Sequence, residues 1–216
     1  MMGTIIYVRR NAIALAAGRE NIHPMRYAKG HKDATRKHIV RIASEQFRRD
    51  GIEAVGVAGL MAGAGLTHGG FYSHFSSKEE LVRAANADAL RKSRADLAEA
   101  GAREGLAGVI RAYMKPLHRD RPERGCAFAA LTSEIARRPK STRSALTEEF
   151  EAHVALIAER LPRGDRQGAI AILAVMMGAL QLARAVADKA LSDQILASGE
   201  KAALTLAREF SAPAAR

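Results

Sequence analysis

The sequence predicts an all-α chain: a small N-terminal helix-turn-helix unit followed by a larger helical body. Three observations carry this. After residue 33 the apolar residues recur at helical spacing, and no stretch alternates with the period of two that a half-buried strand needs. Pro116, "RDRPERG", Pro139, "LPRGD" and Leu191-Ser192 punctuate the periodic stretches. Residues 57–77, "VAGLMAGAGLTHGGFYSHFSS", contain no Lys, Arg, Asp or Glu, yet lie between a basic helix and an amphipathic one.

Residues 1–32 form a basic N-terminal extension. Its first 24 residues lack clear periodicity and end in His23-Pro24, whereas Met25 opens a basic lead-in. This reads either as a loosely attached arm or as a start placed at Met1 in place of Met25. The first helix, about 33–50, sets Ile39, Ile42, Ala43 and Phe47 on one stripe and stops at Gly51. Val57–Ala64 and Thr67–Phe75 follow as short helices joined at Gly65-Leu66, and together with the first they make a unit over 33–80. Ser76 followed by Glu79 offers a capping box for a helix running to about Ala100. The body, 81–216, continues with helices at about 105–117, 126–138, 141–161, 166–190 and 193–210. The helix at 166–190 is apolar nearly all round, so it is expected to be buried on more than one side, including against a second subunit.

Charge favours an anionic partner, nucleic acid or a membrane surface, unless the basic head is simply a solvated tail. The 216-residue chain has a formal net charge of +11, and most of it lies in residues 1–49, where eleven Lys and Arg face three Asp and Glu. Such a head suits a polyanion such as nucleic acid. The longest apolar run, 169–180, is soon followed by Gln181 and Arg184 and falls short of the ~20 residues that span a bilayer. No membrane association is expected, and the expected compartment is the cytoplasm, with which the single cysteine, Cys126, is consistent.

Two short helices joined at a glycine, behind a basic helix, have the pattern of a DNA-binding helix-turn-helix. Thr67 stands at the N-cap position of the second one. His68, Gly69 and Gly70 form its first turn, the part that faces base edges. Each glycine costs a helix interior about 1 kcal/mol relative to alanine, and the backbone gains closeness to a groove wall in return. The alternative is a crowded helix crossing. Phe71 and Phe75, four apart, share a face that anchors the helix to its own domain. Tyr72, Ser73 and His74 present polar tips toward flanking phosphates, and Lys78 sits beside the free amides that open the next helix.

Residues 35–81 resemble the DNA-binding domain of the TetR/AcrR family of transcriptional regulators. The [ST]-x-G-x-[LF]-Y-x-H-F-x-x-K-x-x-L core is filled by Thr67, Gly69, Phe71, Tyr72, His74, Phe75, Lys78 and Leu81. The resemblance implies an all-helical homodimer of about nine helices per subunit, bound to a palindromic operator in double-stranded DNA. It implies base-proximal roles for His68 and Gly69 and phosphate contacts from Thr67, Tyr72, His74 and Lys78. It also implies a C-terminal domain that binds a small-molecule effector and pairs subunits through the helices at about 166–190 and 193–210. "RGCAFAALTSEIARR" and "GALQLARAVADKALSDQIL" are similar to one subgroup of the family.

There are departures from the pattern. Gly56 stands where Ser or Thr often caps the second helix, and Gly59 and Gly63 weaken that helix. The recognition helix has no Arg or Lys, so a bidentate guanine contact within it is unavailable. His68 can donate to guanine or accept from adenine. Arg26, Lys29 and Lys32 are candidates for a minor-groove arm.

The expected activity is therefore that of a ligand-responsive repressor; the alternative is an architectural basic protein that coats DNA without an effector. Met114, Cys126, Phe128, Met176 and Met177 are candidate pocket residues, although Met and Phe at helical spacing, and a cysteine opening an apolar helix, also describe a core. No phosphate loop, nucleophile elbow or zinc-type spacing points to an enzyme, a cofactor or a metal.

Overall fold

The computed structural model describes residues 30–212, and among these all regular structure is helical. Helix α1, His31–Asp50, buries Ile39, Val40, Ala43 and Phe47. It stops at Gly51, whose φ of 86° is open to glycine and whose amide closes the last turn on the Phe47 carbonyl at 2.9 Å. Helix α2, Val57–Gly63, and a single 3-10 turn, His68–Ser73, complete the N-terminal unit.

Helix α3, Lys78–Tyr113, is broken at Glu104 and Gly105, where Gly105 has φ 62°. This matches the expected interruption after residue 100. Helix α4, Pro116–Asp120, begins where Pro116 cannot continue α3, and a 3-10 turn at Pro122–Arg124 lies inside the expected "RDRPERG" connection. Helices α5, Ala127–Ile135, α6, Lys140–Ala158, α7, Arg166–Ala185, and α8, Lys189–Ser211, form the rest of the body. Helices α7 and α8 pack along each other, α6 covers α3 and α7, and α5 lies between α7 and α1. One continuous core results, from Ile39 in α1 to Ala203 in α8.

Three local expectations shift. The capping residue of α3 is Ser77, whose hydroxyl accepts from the Glu80 amide at 3.2 Å, and Glu80 answers through the Ser76 amide at 2.8 Å. Glu79 is not free for the box, because Arg138 (2.9 Å) and Thr142 (2.5 Å) in the body bind it. The break between the last two helices falls at Val186–Asp188, not at Leu191-Ser192, since Asp188 caps α8 by accepting from the Leu191 amide at 2.6 Å. Helix α1 starts at His31, so Lys32 belongs to it; Arg26 and Lys29 lie outside the described residues.

By length and composition alone α7 would cross a bilayer, with a mean hydropathy of 1.7 over an 18-residue window. It packs against α5, α6 and α8, with 39% of that window buried. Its remaining face still exposes Ala174 and Leu182.

Candidate nucleic-acid interface

The 3-10 turn is built from the inside out. Phe71 and Phe75 are each 1 % exposed, and their rings stack at 5.7 Å between centroids. On the outer side Thr67, His68, Gly69, Tyr72 and Ser73 are exposed, while Gly70, His74 and Lys78 are half-buried. The Tyr72 ring meets His68 edge-on at 6.3 Å and keeps 66 % of its surface in solvent.

The sequence leads one to expect an α-helix over 67–75, but two adjacent glycines resist one. Gly70 N–H bonds to the Thr67 carbonyl at 3.0 Å and His74 N–H to the Phe71 carbonyl at 2.9 Å, the spacing of a 3-10 turn. The Thr67 hydroxyl makes no capping bond. The Ser73 hydroxyl donates to the Gly70 carbonyl at 2.7 Å, so its single hydrogen is already used.

A Cβ built on Gly69 meets nothing within 4 Å, and one on Gly70 meets Thr67 Oγ1 at 3.6 Å and Met61 Cε at 3.8 Å. Gly69 therefore has no partner inside the protein that requires a glycine. Gly63 does sit at a crossing, since a Cβ there would approach Gln46 Nε2 at 2.7 Å.

Helix α1 holds the turn in place. Arg36 lies over the Phe75 ring at 4.4 Å, pairs with Glu80 Oε1 at 2.9 Å and donates Nε to the His74 carbonyl at 3.4 Å. His38 bonds through Nε2 to the Ala64 carbonyl at 3.2 Å, tying α1 to the end of α2. Sequence reasoning missed Arg36 as a positioning residue; its signal was an arginine one turn before the apolar stripe and a spare acid in "SSKEEL". Burial lowers the proton affinity of His74, and the nearby Lys32, Arg36 and His31 charges add to this, so its imidazole is neutral at pH 7.

Two family models match this chain. One described as "Bacterial regulatory proteins, tetR family" covers residues 39–85, and one described as "Tetracyclin repressor-like, C-terminal domain" covers 102–198. The chain belongs to the TetR family.

Among its relatives, the uncharacterized HTH-type transcriptional regulator YfiR of Bacillus subtilis is 25% identical over 143 residues, 65% of this chain and 70% of that one. TetR-family regulator SCO4454 of Streptomyces coelicolor has the same fold, with TM-score 0.70 and 21% identity over 82% of this chain and 90% of that one. Reduced Escherichia coli NemR superposes with TM-score 0.68 and 21% identity, covering 84% and 100%. RolR in complex with resorcinol superposes with TM-score 0.51 and 19% identity, covering 86% and 97%.

In this TetR-family chain the N-terminal unit is latched to the body at two further points. Glu134 on α5 accepts from the main-chain amides of Ile52 at 2.9 Å and Glu53 at 3.3 Å. Arg138 joins Glu79 at the start of α3 to Glu53 beyond α1. Burial opposes ionisation of Glu79, but the bonds from Thr142 and Arg138 outweigh it and hold the carboxyl below its usual range.

The expected pocket residues are packed, not gathered around a space. Met114, Cys126, Phe128 and Met176 are at most 2 % exposed, and Met177 packs against the same core. Burial pushes the Cys126 thiol up, away from a reactive thiolate. A cavity of about 580 Å³ lies instead between α1, α3 and the α4 segment.

His118 borders that cavity and is committed to one neutral tautomer. Its Nε2 accepts from the Cys126 amide at 2.6 Å, so Nδ1 carries the hydrogen, donated to the Tyr113 carbonyl at 2.6 Å. Burial lowers its pKa to about 4. The unfolded chain then binds a proton that the native one refuses between pH 6.5 and 4. Stability from this site is complete above pH 6.5 and is lost on acidification through that window, by about 3 kcal/mol. Urea denaturation of wild type and His118→Gln across this range should show the steeper acid loss in wild type alone.

Proposed function

We propose that this chain is a ligand-responsive repressor that binds a palindromic operator as a homodimer, with an effector taken up by the C-terminal domain. The observation that carries the reading is the exposed Gly69, free of any internal partner, at the front of an aromatically anchored turn. His68 and Gly69 approach base edges, with Gly70 behind them. Thr67, Tyr72, His74 and Lys78 face phosphates, and Ser73 joins them only by giving up its bond to Gly70. Lys32, in the first turn of α1, adds positive charge beside His74. Pairing through α7 and α8 covers the apolar face of α7, including Leu182, which is 59 % exposed. Two turns are then presented to successive major grooves, about 34–36 Å apart. RolR, a neighbour in fold, holds a small phenol, which supports an effector for this chain too.

Selection of bound fragments from the source genome with purified protein yields the operator. On it, Lys78→Ala should weaken binding to all sequences alike and reduce the salt slope by about 1.8, about 0.9 for the lysine of each subunit. His68→Ala should instead erase about 1–3 kcal/mol of discrimination between operator and random duplex at each half-site. A wild-type ratio near one would support the architectural alternative.

A further inference from the structure

Two guanidinium groups, Arg48 on α1 and Arg184 on α7, are half-buried, and neither forms an ion pair among the described residues. Arg48 on α1 donates Nε and Nη2 to the Glu123 main-chain carbonyl and Nη1 to Ser44 Oγ at 2.6 Å. Arg184 on α7 donates Nη2 to the His118 carbonyl at 2.5 Å, while its Nε and Nη1 are buried and meet no partner among the described residues. A cation partly withdrawn from water, bonded only to neutral groups, favours an anion that can reach it.

Arg48 lines the cavity of about 580 Å³, a size that suits a small organic molecule. Its apolar lining is Ala89, Leu97, Ala100, Ala112 and Leu117. Most other charges around it are already matched: Arg41 with Glu45 at 3.0 Å, Arg103 with Glu99 at 2.5 Å, Lys92 with Asp88 at 2.7 Å, and Glu123 with Arg121 at 3.6 Å. What remains on the described lining is Arg48, Lys115 and Arg124 against Asp96.

We infer that this cavity is the effector site for an amphipathic carboxylate, its charged end held by Arg48 and its hydrocarbon part by the alanine and leucine wall. The inference rests on the ligand-responsive reading above and deepens it. A carboxylate accepts two parallel bonds from a guanidinium, and so competes with the Glu123 carbonyl that ties α1 to the body. Arg36, on the same helix and about 18 Å away along its axis, clamps the DNA-facing turn. The ligand thereby favours an arrangement of α1 different from the one that holds Arg48 on Glu123, which is the differential affinity that release requires.

The test uses octanoate, octanamide and octylamine, titrated calorimetrically into the full chain and added to its complex with the selected operator. Octanoate should bind at least about tenfold more tightly than octanamide and lower operator affinity. Arg48→Met should remove the preference. The double variant Lys115→Ala/Arg124→Ala, at exposed positions that leave the fold unchanged, should reduce it severalfold. Equal binding of octanoate and octanamide, or octanoate binding unaffected in both variants, would overturn the site. Octanoate binding without change in operator affinity would overturn its effector role. Release by octanamide or octylamine but not octanoate would leave the ligand-responsive reading standing and remove the carboxylate.

Discussion

Gly69→Leu should abolish operator recognition while leaving the protein folded. Gly69 has no positive φ, and a side chain there meets nothing within 4 Å, so the free protein gains no clash. Replacing a helical glycine even favours the local structure, by up to about 1 kcal/mol. On DNA the same leucine stands between the backbone and the base edges. An overpacking penalty of about 1–3 kcal/mol at each of two half-sites gives a loss of about 30-fold or more. Fluorescence anisotropy with the selected operator, beside a thermal melt of each protein, separates the two effects: affinity falls and Tm does not. Unchanged affinity would mean that this glycine does not face the duplex.

Phe71→Ala should do the reverse, removing operator binding by removing the fold beneath it. Phe71 is 1 % exposed and stacks on Phe75, which in turn lies under Arg36. Truncation of a buried phenylalanine costs about 3–5 kcal/mol, a large part of the ~5–15 kcal/mol that holds a domain together. Urea denaturation should show that loss, with binding weakened at every salt concentration. The pair of variants distinguishes the two sides of one turn, a bare front proposed to meet DNA and an aromatic rear that keeps it in place.

The motif was legible because its spacing encodes burial directly. Phe71 and Phe75 fall inside and Tyr72 and Gly69 fall outside, as residue type and order require. Less legible was the backbone between them, where Gly69-Gly70 gives a 3-10 turn in place of an α-helix. The α3 cap moved by one residue because Glu79 answers Arg138 and Thr142, which lie about 60 positions on, and no local pattern announces such partners. The same holds for Glu134 with the Ile52 amide. Asp188 is different, since its capping side chain was present in the sequence where Leu191-Ser192 drew attention instead. Met114, Phe128 and Met176 show the limit of composition: apolar type says that a residue is buried, not whether it faces a cavity or a neighbour.

The most direct test of the account is methylation interference on the selected operator, read with dimethyl sulfate at guanine N7 in the major groove and adenine N3 in the minor groove. Two major-groove turns predict interference at guanine N7 in both half-sites, related by the operator's two-fold axis and lost in Gly69→Leu. Interference confined to adenine N3, or absent from both grooves, would contradict a chain that reads DNA through this turn.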